Sequence, residues 1–236
     1  MAQMRDDEPQ GTMAMTWNQD VMLAEMELLQ GAVLNNLRIL APHNRKDSYY
    51  AELMRLAEQP YFFETYQVIL WAGLRLRPRR ILEIGTRNGG SLVQLLSAYH
   101  RFTGLSVVSF DLWREVGSPR AVRANLKRLN IPSDFIEFVS GDSTVTVPQW
   151  QQRHPGAQFD YVLVDGGHTE TIARADLRNV AGLVAPGGIL IFDDIGPESY
   201  RLLPVWREFQ AAHEGQFDWY EKQWCKGVAW AIRRGA

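Results

Sequence analysis

Three aspartates and a histidine in the second half of the chain have the types and spacing to do chemistry together. The apolar run Tyr161–Val164 ends in Asp165-Gly166-Gly167-His168, and the run Ile189–Phe192 ends in Asp193-Asp194. The separation of Asp165 from Asp193 is that of one strand–helix–strand crossover. If both runs are parallel strands of one sheet, their carboxyl ends share an edge, which is where open α/β sheets bind ligands. Three carboxylates gathered there repel one another and need protons or a cation. Hard oxygen ligands suit Mg²⁺, with Ca²⁺ or Mn²⁺ as substitutes. A divalent ion so held binds a substrate oxygen and lowers the pKa of its hydroxyl. His168, with an ordinary pKa near 6.5, can take that proton at neutral pH. Plainer roles stand beside these. Asp193 or Asp194 can cap the segment that follows, Asp165 can merely order a ligand, and His168 can bond locally at a helix start. His43, His100, His154 and His213 lack any comparable context.

A second constellation precedes this one. The segment ILEIGTRNGGS, Ile81–Ser91, reads as a strand ending at Glu83-Ile84, glycines at 85, 89 and 90, and a helix opening over Leu92–Tyr99. Such glycines let backbone turn tightly and approach a ligand closely. A dinucleotide loop needs G-x-G-x-x-G, and Arg87 stands at its second glycine, which weakens that reading. Asp111 ends the run VVSFD, where an acid can accept hydrogen bonds from a ribose diol. Gly141-Asp142-Ser143 follows a third run; on its own Asp142 is equally a turn or helix-cap residue. Trp113 can stack on a flat ligand or fill space beside the sheet, and both readings stay open. Arg114, Arg120, Arg123, Lys127 and Arg128 suit a phosphate, but a solvated helix face accounts for them more simply. Tyr49, Tyr50, Tyr61, Phe62 and Phe63 could close over a substrate, although no spacing rule requires it.

These residues need a scaffold, and the pattern supplies one. Five apolar runs, Ile81–Ile84, Ser106–Phe110, Ile136–Val139, Tyr161–Val164 and Ile189–Phe192, alternate with helix-like stretches near 90–100, 118–129, 146–153 and 170–184. Continuous apolar runs separated by helices predict a parallel sheet with crossovers. A helix near 202–213 follows, then strand-like runs Phe217–Trp224 and Gly227–Ile232. The tight link Cys225-Lys226-Gly227 makes those two an antiparallel hairpin. Upstream, Met22, Met26, Leu29, Val33, Leu34 and Leu37 recur at helical spacing over 20–40, and Pro42 lies just past the end. Further helices are expected over 48–57 and, rich in aromatics, over 62–76; aromatic helices of this kind are usually core. The expected organisation is a flexible N-terminus (1–17), a helical cap (18–77) and a ligand-binding α/β domain (78–236).

Over 78–236 the pattern resembles the class I methyltransferases. Glu83-x-Gly85-x-x-x-Gly89 is similar to their first motif, and five parallel strands with a terminal hairpin are similar to their architecture. A nicotinamide-binding fold would make its sixth strand parallel. The resemblance implies a doubly wound, mostly parallel seven-stranded Rossmann-like sheet and S-adenosylmethionine as cofactor. It places the amino-acid end of that cofactor at Glu83, Gly85, Thr86, Arg87, Gly89 and Ser91, the ribose at Asp111 with Leu112, and adenine at Gly141, Asp142 and Ser143, with Asp165 close by. The D-x-x-H and D-D pattern resembles, more closely, the metal-dependent small-molecule O-methyltransferases that act on sugar hydroxyls of bacterial natural products, the macrocin O-methyltransferase type. Catechol O-methyltransferase has a similar layout, with lysine where this chain has His168. That likeness implies Asp165, Asp193 and Asp194 as ligands of Mg²⁺ or another divalent cation. It implies His168 as base, Asp165 as catalytic, and a small hydroxylated acceptor from secondary metabolism. Relatives carry Glu-Asp or Asp-Asn at the fifth strand, which changes geometry more than chemistry. The N-terminal helices match the family only loosely.

Composition narrows the field. With 236 residues, 46% hydrophobic and 22% charged, the chain can bury a real core and is not expected to be disordered. A net charge of −2 argues against coating nucleic acid. No N-P-P-Y or D-P-P-Y motif follows the fourth strand, which argues against a nucleic-acid methyltransferase. The single cysteine, Cys225, precludes an intrachain disulfide and fits a reducing, cytoplasmic setting. The opening MAQMRDDEPQGT is not a secretory signal. No uncharged apolar run of about 18 residues exists, so no membrane span is expected. An exposed aromatic N-terminal helix would favour a homodimer or larger assembly. Two competing functions use the same cofactor site: a metal-independent N-methyltransferase and a non-catalytic binding module. Metal dependence separates the first from the O-methyl reading, and turnover separates both from the module.

Overall fold

The computed structural model describes residues 17–44, 64–100, 103–114 and 116–235. The helix expected over 48–57 and the residues Tyr49, Tyr50, Tyr61, Phe62 and Phe63 lie outside them, as do residues 1–16. Within them, seven strands form one sheet: β1 (Arg80–Ile84), β2 (Ser106–Asp111), β3 (Ile136–Ser140), β4 (Phe159–Val164), β5 (Val184–Asp193), β6 (Phe217–Lys222) and β7 (Val228–Arg233). Their order is β3-β2-β1-β4-β5-β7-β6. Strands β1 to β5 run parallel, and β7 pairs antiparallel with both β5 and β6. The expected doubly wound sheet with its closing hairpin is what the chain forms.

Helices cover both faces. Along β1, Leu82 and Ile84 point into one apolar layer and Ile81 into the other. The first layer is completed by α6 (Ser143–Arg153), α7 (Glu170–Val180) and α8 (Leu203–Ala212). The second is completed by α1 (Gln19–Glu27), α2 (Gln30–Leu40), α3 (Glu64–Leu76), α4 (Gly90–Ser97) and α5 (Pro119–Arg128). The N-terminal helices are thus part of the core. Met22, Leu37 and Trp71 are buried in the same apolar cluster as Ile81, Leu96 and Trp230. Among the described aromatics of α3, Tyr66 and Trp71 are buried, and Trp71 donates to Glu25. No helix among the described residues is long and apolar enough to cross a membrane.

Several boundaries differ from the sequence reading. The helix expected over 20–40 breaks at Leu28–Leu29, with Leu28 facing solvent. Helix α6 starts at Ser143, capped by Asp142, and accommodates Pro148 in its interior at the loss of one backbone bond. Strand β5 begins at Val184, and its register against β4 shifts between Phe159 and Tyr161, where Gly187 turns with φ 76° and Gly188 packs against the β4 backbone. A Cβ on Gly188 would lie 2.9 Å from Phe159 O.

The register positions the site. Val139, Phe110, Ile84, Val164 and Phe192 form one level row across five strands. One residue on, Ser140, Asp111, Gly85, Asp165 and Asp193 stand side by side at the carboxyl edge.

Candidate functional site

At this edge lies a cavity of about 610 Å³. The segments that follow β1 to β5 line it, together with Tyr66 of α3 and Lys226 of the hairpin link. Of the residues singled out in the sequence, Gly85, Thr86, Arg87, Ser91, Asp111, Leu112, Gly141, Asp142, Ser143, Asp165, His168, Asp193 and Asp194 all line it. Glu83 and Gly89 do not. Glu83 points beneath α4, where the Ser91 hydroxyl donates to it. Gly89 starts α4 with φ 78°, and a Cβ there would meet Val122 of α5 at 2.8 Å.

The loop after β1 is held from two sides. Asp111 Oδ2 accepts from Arg87 N–H and Oδ1 from Trp113 N–H, both at 2.7 Å. The Trp113 indole N–H donates to Arg87 O at 3.1 Å, and its ring sits edge-on to Phe138 at 5.7 Å. Trp113 therefore fills space against the sheet while also lining the cavity. Asp111 keeps free lone pairs for a diol, because each carboxylate oxygen accepts more than one bond. Asp142 caps α6 through its bond from Thr144 N–H at 2.9 Å. It is thus a cap residue that also faces the cavity. Two cations of α5 are occupied structurally: Arg123 donates to Ser133 O and covers the Phe138 ring, and Arg128 donates to Asn125.

The acids gather at the other end. Among the described residues, Asp165, His168 and Asp194 bring one ligand atom each within 4.8 Å of one another. His168 Nε2 lies 3.3 Å from Asp194 Oδ2 and 3.8 Å from Asp165 Oδ1. The imidazole stacks on the Tyr200 ring at 3.9 Å, which fixes its plane. Asp193 stands beside this trio, with Oδ1 accepting from the Thr65 hydroxyl at 2.5 Å. The close trio thus contains His168 where the sequence suggested Asp193. Asp194 has φ 64° and is buried, and its Oδ1 has no hydrogen-bond partner. A buried carboxylate oxygen left unpaired is costly, and a cation beside Asp165 would satisfy it. The carboxylate oxygens gathered here fit a hard divalent ion, with the His168 imidazole beside them.

The electrostatics agree. Burial, then the charges of Asp193 and Asp194, push Asp165 well above the usual carboxylate range. Burial and Asp194 push Asp193 up to about 6. Burial also raises Asp194, against the pull of His168 and Lys226. His168 is lowered by burial, which outweighs the neighbouring acids and keeps it neutral at pH 7. Further from the cluster, burial raises three more carboxyls: Glu64 to about 8, Glu83 to about 7 and Asp176 to about 6. Each binds its proton more tightly folded than unfolded, so its contribution to stability is complete at low pH and lost as pH rises through its folded pKa. His168 works in the opposite sense, as one group against several. We therefore expect the melting temperature in EDTA to fall between about pH 5.5 and 8.5. Scanning fluorimetry across that range checks it, and a flat or rising profile would contradict the burial of these groups.

Tyr66, Thr65, Glu64, Tyr200 and Lys226 were not legible as site residues. Tyr66 and Thr65 come from a helix read as core, Tyr200 from the loop after β5 and Lys226 from a hairpin link. Only the link's position beside the carboxyl end of β5 was a usable signal for Lys226.

Residues 82–195 match the model of a family described as a methyltransferase domain. No curated protein matches the chain. Solved structures do. The O-methyltransferase TomG of Streptomyces achromogenes, involved in tomaymycin synthesis and solved with S-adenosylmethionine, is 23% identical with TM-score 0.58, over 73% of this chain and 80% of that one. An O-methyltransferase of Bacillus cereus in complex with S-adenosylhomocysteine is 20% identical with TM-score 0.58, over 93% and 94%. The S-adenosylhomocysteine-bound Podospora anserina methyltransferase PaMTH1 is 17% identical with TM-score 0.60, over 96% and 100%. At these identities the likeness is one of fold.

Proposed function

From the premise that the chain carries a class I, S-adenosylmethionine-dependent methyltransferase domain, we propose that it methylates a hydroxyl of a small molecule with the help of a divalent cation. One observation carries the reading. Asp194, which has one unpaired oxygen, stands with Asp165 and His168 at one end of the same cavity that Asp111 and the loop after β1 line at the other. Helix α3 brings Thr65 and Tyr66 to the acceptor end.

In this mechanism the loop Gly85–Ser91 cradles the amino-acid end of the cofactor, and Asp111 accepts from its ribose hydroxyls. Asp142 and Ser143, with Leu112 and Trp113, border the adenine. Asp165, Asp194 and the second oxygen of Asp193 would hold Mg²⁺ or a similar ion. When bound, the ion supplies Lewis acidity that lowers the pKa of the acceptor hydroxyl. His168 takes that hydroxyl's proton through the nitrogen facing the pocket, since burial keeps the ring neutral. When bound, S-adenosylmethionine would supply the methyl group, and the pocket would hold the acceptor oxygen facing it. The protein's share is mainly positioning, because the cofactor supplies the reactive carbon. The involvement of TomG in tomaymycin synthesis suggests a natural product as acceptor here too.

The test is calorimetric titration of S-adenosylmethionine with and without Mg²⁺, followed by a screen of hydroxylated acceptors in Mg²⁺ and in EDTA. Metal-dependent O-methylation supports the reading, O-methylation unaffected by EDTA removes the metal from it, and turnover on amine acceptors alone points to the metal-independent N-methyl chemistry. His168→Ala should lower turnover by about 10²-fold or more, the usual scale for a general base. Cofactor affinity should change little, and a near-normal rate at pH 7 would remove His168 from the mechanism.

A further inference from the structure

Lys226 lines the acceptor end of the cavity with Asp165, His168, Asp193, Asp194 and Tyr200. It stands two residues before Val228, which pairs with Asp193 at the carboxyl end of β5. The backbone that carries it has little room to move. Lys226 O accepts from Gly196 N–H and from the Ser199 hydroxyl at 2.8 Å, and Gly227 N–H donates to Glu64 at 3.1 Å. Gly196 and Gly227 pack so closely that a Cβ on Gly196 would lie 2.4 Å from Cys225 O, and one on Gly227 2.4 Å from Gly196 N. The hairpin link is therefore fastened to the loop that follows Asp194, and Lys226 is a built part of the pocket.

The charge count gives it a role. With an ion bound, the three carboxylates would all be ionised and carry three negative charges. One divalent ion leaves one negative charge over, and a second would overshoot. An ammonium at the same pocket supplies the remaining positive charge. Resting on the metal-assisted reading above, we propose that Lys226 is the fixed cation that completes this pocket, limiting it to one divalent ion and loosening its hold on that ion. Lys226 is thus a positioning residue for the metal. A like charge close to a divalent ion is repulsive at any dielectric constant a protein pocket offers.

The proposal predicts an uncommon direction of effect: removing a pocket side chain tightens the metal. Mn²⁺ would be titrated into the full chain and the free ion followed by electron paramagnetic resonance, with melting temperature and S-adenosylmethionine binding measured alongside. The wild type should bind one Mn²⁺. Lys226→Met and Lys226→Gln should bind it about tenfold more tightly, or take up a second ion, and Lys226→Arg should keep wild-type affinity. Unchanged or weaker Mn²⁺ binding in a folded, cofactor-binding Met or Gln variant overturns the proposal and leaves the metal reading standing. A wild type that binds no Mn²⁺ overturns both.

Discussion

Asp194→Asn should leave the chain folded, strip it of its divalent ion and lower turnover by about 10³-fold or more, the scale of several kcal/mol of Lewis-acid stabilisation. Asp194 has φ 64°, a left-handed conformation that asparagine tolerates as well as aspartate. Its carbonyl still accepts from Leu202 N–H at 3.0 Å, so the turn after β5 keeps its bond. What changes is charge. The Asp194 charge repels those of Asp165 and Asp193 and pushes both groups up. Without metal, replacing it relieves that repulsion, so the melting temperature in EDTA at pH 8 should hold or rise. The variant thus separates a metal ligand from a structural residue, since only the former loses metal binding without losing stability. Calorimetric Mn²⁺ titration, turnover and melting temperature together decide it. Normal Mg²⁺-dependent turnover in Asp194→Asn would sink the metal assignment.

Much of this site was legible because parallel strands turn sequence order into spatial order. Asp111, Gly85, Asp165 and Asp193 each follow an apolar run, and the sheet register then sets them level at one edge. Period and run length suffice to find such residues. They fail where the backbone departs from an apolar run, as at Gly187 and Gly188 in β5. They fail also where a residue arrives by tertiary packing, as Thr65 does at Asp193 and Lys226 does across the Gly196–Gly227 contact. Glu83 shows a third limit. Its position at the end of β1 suggested a ligand contact, but strand alternation turns it under α4, where Ser91 meets it. From there it can act on the cofactor only through the loop it supports. The Asp165–His168–Asp194 trio illustrates the same point: sequence order pairs Asp193 with Asp194, yet the left-handed turn at Asp194 and the Thr65 bond aim the two carboxylates differently.

Gly85→Ala should abolish measurable S-adenosylmethionine binding and lower the melting temperature by about 10 °C. Gly85 has φ 92°, and a Cβ there would lie 1.7 Å from Asp165 O. The neighbouring bonds leave no slack, because Gly85 N–H donates to Phe110 O and Asp165 N–H to Ile84 O, both at 2.9 Å. A side chain can enter only if the ends of β1 and β4 part. That displaces the cofactor loop and Asp165 together. Left-handed strain costs about 1–2 kcal/mol and overpacking about 1–3 kcal/mol, and for a chain of this size each kcal/mol lowers the melting temperature by roughly 2–4 °C. Gly104→Ala is the matched control. Gly104 has φ 76°, but nothing lies within 4 Å of its Cβ position, so it carries the strain without the clash. It should cost about 1–2 kcal/mol and leave cofactor affinity intact. The difference between the two variants therefore measures how closely β1 and β4 must approach for the cofactor to bind. If Gly85→Ala binds S-adenosylmethionine as the wild type does, the loop after β1 is not its cradle, and the premise on which the mechanism stands is lost.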